Sequence, residues 1–446
     1  MNIQNDTDHR YIAEQIFRAG VNSVLPDKLI SGAVFVNGNM LHIANREFSL
    51  EQISDIWVIG AGKAAAIMAS EIEKILGDRV SGGHVVVKYG HSVGLNKITV
   101  SEAGHPVPDE NSFAASKSVL DIAQKAKEHD LVICLLSGGG SSLLCDVPEG
   151  LLPDDISQIN DLLVRSGATI GEINAVRKHL SDIKGGNLAR AIYPAQSVSL
   201  ILSDVICDNI DVIASGPTAP DTTTYIDAIE VIDKYGIRES TPKRIIDFLH
   251  AGAICQKPET PKPEDIIFSK TSNIIIGNNH IALENARLKA AEFNIKSVII
   301  DDKLQGDVVS VAERLVETAL RFQSDVLETK PVCLLLGGET TVKITGNGKG
   351  GRNQHLALLC AKLLCGKCRI TVLCAGTDGT DGPTDVAGAV VDSETIRSAL
   401  LNGIDAEVYL SDFNSYNFFK YSSGHIITGP TLTNVMDIII IIVDSK

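Results

Sequence analysis

The sequence predicts an α/β protein: two α/β domains built on mostly parallel sheets. Three observations carry that reading. Short apolar runs of strand character alternate with stretches of helical periodicity along almost the whole chain, as in layered α/β folds. Nearly all of these runs, among them HVVVKYG, LVICLLSGGG, SVSLILSD, NIIIGNN, VCLLLGG and RITVLCAG, end in Gly, Ser, Asp or Asn. That pattern puts loops and helix starts at the carboxyl ends of strands, where open α/β sheets bind their ligands. Finally, 446 residues exceed what one core usually organises. The stretch QKPETPKPED, with Pro258, Pro261 and Pro263, interrupts any regular element and marks the boundary. Residues 1–250 are then an N-terminal Rossmann-like domain and residues 251–446 a C-terminal α/β domain. The run Ile438 to Val443 is too short to span a bilayer and reads as a buried last strand.

Composition narrows the ligand class. Hydrophobic residues at 44% and charged residues at 21% suit a soluble globular protein, while 4% aromatics leave few stacking platforms. A net charge of −15 opposes binding to nucleic acid but allows a local pocket for a small anion. The opening MNIQNDTDHRYIAEQIF lacks a basic start and an apolar core of signal-peptide length. The expectation is a cytoplasmic protein with no membrane or nucleic-acid partner. Nine cysteines, an odd count, fit a reducing compartment. Cys365 and Cys368 have ligand-like spacing but no second pair at zinc-site distance, so they read as structural.

The motifs come in chain order. In WVIGAGKAAAIMASEI, Gly60-Ala61-Gly62-Lys63-Ala64-Ala65 fits the glycine turn of a dinucleotide fold. Lys88, however, stands where the acidic ribose partner belongs, which disfavours NAD and tolerates NADP only weakly. A Walker A loop is absent. What remains is Lys63 at a helix N-terminus, where the dipole and free N–H groups attract an anion; a merely exposed lysine is the plain alternative.

LLSGGGSSLL supplies Ser137, Gly138, Gly139, Gly140, Ser141 and Ser142. Such a loop wraps an anion closely, with serines as hydroxyl donors or a magnesium ligand, unless it is only a tight turn. INAVRKHLSDIKGG sets Asn174, Arg177, Lys178, Ser181 and Lys184 at helical spacing, a cation cluster unexpected in so acidic a chain. Ser203, Asp204 and Asp208 follow one strand, and Thr377, Asp378, Asp381 and Asp385 follow another. These aspartates suit magnesium or the orientation of a hydroxyl, with caps and Asx-turns as the alternative. Arg352 opens a helix after GNGKGG, against the macrodipole, so something negative should face it. His105 in GHPVPDENS reads as shaping a loop into a helix cap. Cations, glycine loops and separate aspartates together make the kit for phosphoryl transfer.

With these stretches in this order, followed by IASGPTAPD, GGETTV, GGRNQ, AGTDGTDGPTDVAGAVVD and ITGPTLTNV, the chain resembles the class II glycerate kinases, the glycerate 2-kinase family with a C-terminal MOFRL domain. The resemblance implies two α/β domains with the active site in the cleft between them, the MOFRL region falling at about 330–440. It implies transfer of the ATP γ-phosphate to the 2-hydroxyl of D-glycerate, with magnesium. It also implies that Lys63 and Arg352 are the catalytic residues. Asp204 is a candidate for catalysis or metal, and Asp378 for nucleotide or metal. Gly60, Gly62, Ser137, Gly138, Gly139, Gly140 and Ser141 are candidates for holding the nucleotide, and Arg177, Lys178 and Asn174 for the acid. A longer sugar acid, erythronate or threonate, is an alternative acceptor; NADP-dependent hydroxypyruvate reduction and sugar-acid sensing are alternative functions. A homodimer is left open. The chain departs from the family pattern at Cys207 and Asn209, which stand where Gly and Asp are usual. It departs again at His355 for Glu, Leu432 for Gly and Met436 for Asn.

Overall fold

The computed structural model describes residues 8–325, 331–367 and 369–444, so Cys368 lies outside the described residues. The chain divides into two compact units, Pro26–Ile276 and Met1–Leu25 with Gly277–Lys446.

Within Pro26–Ile276, an antiparallel meander of β1 (Val34–Asn37), β2 (Met40–Ile43) and β3 (Arg46–Ser49) comes first. The main sheet follows, from β4 (Ile56–Ala61), β5 (Val80–Lys88), β6 (Ile98–Ala103), β7 (Leu131–Leu136), β8 (Gln196–Leu202) and β9 (Thr271–Gly277). Its order is β6-β5-β4-β7-β8-β9, and the ladders from β6 through β8 are parallel. All six residues of β7 are buried, as expected of a central parallel strand covered on both faces. The chain leaves β4 for β5 on one side, and β7 lies on the other. The order therefore reverses at the carboxyl ends of β4 and β7, where doubly wound sheets open a crevice. Asp109 and Ser112 form a capping box for the helix Glu110–Lys125, the cap expected just after His105.

The proline-rich stretch is packed rather than linking. Pro261 O accepts from Asp221 N–H at 2.9 Å, Glu259 O accepts from Arg190, and Thr260 is buried. The chain stays with this unit until β9 has been laid on the sheet edge, which moves the boundary from about 250 to 276/277.

The other unit carries β10 (Lys296–Asp307), β11 (Val332–Thr341), β12 (Ile370–Gly376), β13 (Gly388–Asp392), β14 (His425–Ile426) and β15 (Asp437–Val443), in the order β10-β11-β15-β12-β13-β14. Here, among the described residues, β10 and β11 pair in parallel and the other ladders are antiparallel. For β12 and β13 the cause lies in their connection. A loop, not a crossover helix, joins β12 to β13, and parallel neighbours need a long crossover. The apolar run at Ile438 is the buried strand expected, and it lies in the middle of the sheet. The helix His9–Ser23 packs on this unit, and Gly20 permits the approach: a Cβ there would sit 2.9 Å from Ala282 O.

Three of the departures from the family pattern fall on left-handed backbone, with φ of 68° at Cys207, 62° at Leu432 and 70° at Met436. Glycine or asparagine tolerates that region, whereas other side chains lose roughly 1–2 kcal/mol there. Met436 is only 4% exposed, and burying a methionine recovers about 1.5–3 kcal/mol, which offsets the strain. Cys207 is exposed and Leu432 is 37% exposed, so neither has that compensation. Cys207→Gly and Leu432→Gly are each expected to raise unfolding stability by roughly 0.5–1 kcal/mol, while Met436→Asn should give no gain. Urea unfolding of the three variants checks this ordering.

Candidate active site

The two glycine loops of the parallel sheet are built into each other. Lys63 N–H donates to Gly138 O at 2.9 Å, Ala64 N–H to Ser137 Oγ at 3.1 Å, and Ser137 N–H to Ala61 O at 3.1 Å. A Cβ on Gly60 would lie 2.0 Å from Leu135 O, and one on Gly62 would lie 2.1 Å from Ser137 Oγ. These glycines let the loops meet; they do not open a path to a pyrophosphate. Gly62, Lys63, Ala64 and Ala65 all donate to protein oxygens, so at the start of the helix Ala65–Leu76 the N–H groups of Ala66 and Ile67 are the ones left without an acceptor among the described residues. The N–H groups of the glycine turn itself are therefore spent inside the protein, and the first turn of the helix still offers two. Only the Lys63 side chain remains available for charge, and among the described residues no carboxylate pairs with it.

Beside this junction is a cavity of about 350 Å³. Gly139, Gly140, Ser141, Arg177, Lys184 and Asp204 all line it, so the glycine loop, a cation stretch and an aspartate expected from sequence converge. The N–H groups of Gly139 and Ser141 have no acceptor among the described residues. Arg177 is half-buried, and its Nε donates to Asn160 Oδ1 at 2.7 Å. No carboxylate pairs with it among the described residues, and burial pulls its pKa down, the situation of a cation that gains from an anion. His105 lies against Gly139, where a Cβ would come within 2.8 Å of its ring. Burial first, then Lys63 and Lys88, holds His105 down at about 4, so it is neutral at physiological pH.

The other candidates on the cation stretch are engaged elsewhere. Lys178 is buried and ion-paired to Asp221 at 3.2 Å and Asp211 at 3.3 Å, and it does not line the cavity. Asn174 is buried and accepts from Ser215. The helix also ends sooner than the stripe implied, at His179. Ser181 Oγ accepts from the N–H groups of Ile183 and Lys184, forming a turn in place of another helical turn. Lys184, counted in the cation cluster from sequence but given no ligand there, reaches the cavity from that turn while holding Leu144 O.

In the other unit, Arg352 meets the negative partners that its place at a helix start demanded, and they are the protein's own. Its Nε and Nη2 bind both oxygens of Asp437 at 2.7 and 3.0 Å, and Nη1 binds Glu339 at 2.5 Å. These pairings raise the arginine's pKa although burial opposes them; burial raises that of Glu339. Three of five guanidinium hydrogens are used, which leaves two for a ligand. Asp378 accepts from Thr380 N–H and Oγ1 in an Asx-turn. Asp381 caps the helix Arg352–Leu364, accepting from Asn353 N–H at 3.0 Å and Gln354 N–H at 2.9 Å.

Asp381 is 2% exposed, and burial lifts its carboxyl to about 6 despite those donors. With an unfolded value of about 3.9, the folded chain holds this proton across the window from about pH 4 to 6. That contribution to stability is complete below pH 4 and is lost as pH rises through 6. Asp381→Asn, neutral throughout, is expected to flatten the fall of unfolding free energy in this window. An unchanged slope in a urea series at several pH values would show that Asp381 titrates normally.

Two family profiles match: a domain of unknown function, DUF4147, over residues 12–250, and the MOFRL family over residues 332–437. The D-glycerate 2-kinase of Thermotoga maritima is 40% identical over 433 residues, 96% of this chain and 97% of that protein. The chain belongs to the class II glycerate kinase family. The crystal structure of the Thermotoga maritima glycerate kinase has a TM-score of 0.86 at 38% identity, covering 98% of this chain and 99% of that one. An Agrobacterium vitis relative named for hydroxypyruvate reductase is 40% identical over 384 residues, 85% of each chain. For a glycerate kinase family member the magnesium question turns on donor chemistry. Among the described residues, no three His, Cys, Asp or Glu side chains gather as a metal cage. The cavity nevertheless offers hard oxygens from Asp204 and Ser141, which suits an ion held by one or two protein oxygens together with phosphates. Among the described residues no helix is long and apolar enough to cross a membrane.

Proposed function

We propose that the protein transfers the γ-phosphoryl group of ATP to the 2-hydroxyl of D-glycerate, giving 2-phosphoglycerate and ADP. One observation carries this reading. The cavity sets a half-buried Arg177 without a carboxylate partner beside a glycine loop with unmatched N–H groups, an arrangement that selects an anion. In this reading Arg177 and Lys184 hold anionic oxygens of the ligands there. Lys63 and Arg352 draw off charge as the phosphoryl group moves, and Asp204 orients the acceptor hydroxyl or holds the cation. Bound magnesium would supply charge neutralisation between the phosphates. Because Lys63 and Arg352 belong to separate units, their joint action on one phosphoryl group is itself part of the proposal.

Purified protein with Mg-ATP and D-glycerate is expected to release ADP and form a phosphorylated acid, with phosphorus NMR placing the phosphate at C2. Turnover with erythronate or threonate but not D-glycerate would move the assignment to those acids. Oxidation of NADPH by hydroxypyruvate, with no ADP release from any acid, would overturn the kinase reading.

A further inference from the structure

The hydrogen bonds behind the glycine loop run in one direction. Ser215 is fully buried, and its hydroxyl donates to Asn174 Oδ1 at 2.9 Å. A serine hydroxyl carries a single hydrogen. With Asn174 Oδ1 facing Ser215 and taking that hydrogen, the 2.7 Å contact between Ser141 Oγ and Ser215 Oγ runs from Ser141 as donor to Ser215 as acceptor. Ser141 lines the cavity, and only its lone pairs remain for a ligand. The expectation of a hydroxyl donor from this loop is thereby reversed. The neighbouring serine gives the same answer, since Ser142 Oγ donates to Gly139 O at 3.1 Å.

The backbone that carries Ser215 is held in an unusual shape. Ala214 and Ser215 have φ of 51° and 60°, consecutive left-handed residues of the kind that collects at functional sites. They press on the glycine loop closely enough that a Cβ on Gly140 would lie 2.8 Å from the Ala214 Cβ.

We propose that Ser215 is a positioning residue that, by holding the Ser141 hydrogen, makes Ser141 an obligate acceptor for an electropositive group of the bound ligands. That group is the hydroxyl hydrogen of the acceptor acid or the divalent cation carried by ATP. A phosphate oxygen would meet only lone pairs at Ser141 and is directed instead to Arg177 and the loop N–H groups. The inference rests on the kinase reading of this cavity.

The test is a double-mutant cycle in the full chain. Ser215→Ala releases the Ser141 hydrogen. If the partner is the hydroxyl, KM for D-glycerate is expected to rise about tenfold with KM for ATP unchanged, the scale of one misoriented hydrogen bond. If the partner is the cation, Mn²⁺ affinity in the presence of ATP, read from the electron-paramagnetic signal of the free ion, is expected to fall about tenfold. Either change must vanish in a Ser141→Ala background, the mark of an effect carried through Ser141. Equal losses in both backgrounds, a loss confined to ATP, or unchanged constants in a folded variant overturn the proposal. Ser215→Gly, which suits φ of 60° and also lacks the hydroxyl, serves if Ser215→Ala does not fold. A wild-type chain that releases no ADP overturns the kinase reading, and the Mn²⁺ measurement still judges Ser215.

Discussion

Arg352→Ala is expected to lower kcat by roughly 10²- to 10⁴-fold, the scale for removing a charge that stabilises a transferring phosphoryl group. It should also cost stability, for a separate reason. The guanidinium neutralises Asp437, whose side chain is 3% exposed, and removing it leaves a buried carboxylate unpaired. Breaking a buried pair costs about 3–5 kcal/mol, and a third of the arginine side chain is exposed, so about 3 kcal/mol is the better figure. Arg352→Lys keeps the charge but cannot grip both oxygens of Asp437 while holding Glu339, so it should recover little of that stability. Steady-state ADP release and urea unfolding read the two losses independently. Near-normal turnover in Arg352→Ala would remove the residue from catalysis, whatever its stability.

Lys63→Ala should show the rate loss without the stability loss. Its kcat is expected to fall by a similar roughly 10²- to 10⁴-fold, with unfolding free energy within about 0.5 kcal/mol of wild type. The difference follows from what each side chain leaves behind. Lys63 is fixed by its main chain, through Gly138 O and through its own carbonyl to His91 Nδ1 at 3.0 Å, and both contacts survive in alanine. No buried carboxylate loses a partner. If Lys63→Ala unfolded as easily as Arg352→Ala, the lysine would have to be a structural cation, and its catalytic assignment would fall.

Much of the fold was legible in the sequence because its signals are local. An all-apolar run such as LVICLL can only be covered on both faces, and a Gly-Gly-Gly-Ser-Ser end can only be a close turn. Strand direction is not local. The six residues from Ile438 to Val443 look alike from either end, and nothing in them says that they run against both neighbours. The site divides in the same way. Arg177 and the glycine loop, read from sequence as candidates for holding an anion, line one cavity. Lys178, one residue along, carries the same charge but is neutralised by Asp211 and Asp221, 33 and 43 residues away. The answering charge for Arg352 was foreseeable from the helix dipole, but its source, Asp437, is 85 residues distant. Ser215 gave no signal, since its role consists of where one hydrogen points.

The position of β15 bears on how the chain is made. β15, made after the other strands described, is the one that joins β11 to β12, so the sheet stays in two pieces until residue 443 has left the ribosome. The helix His9–Ser23, made before any of these strands, packs on this same unit and must wait for it. Pro26–Ile276 contains all its own strands and can close while translation continues, at about 5–20 residues per second. A nascent chain arrested before residue 437 should therefore present a protease-resistant Pro26–Ile276 unit flanked by cleavable segments on both sides.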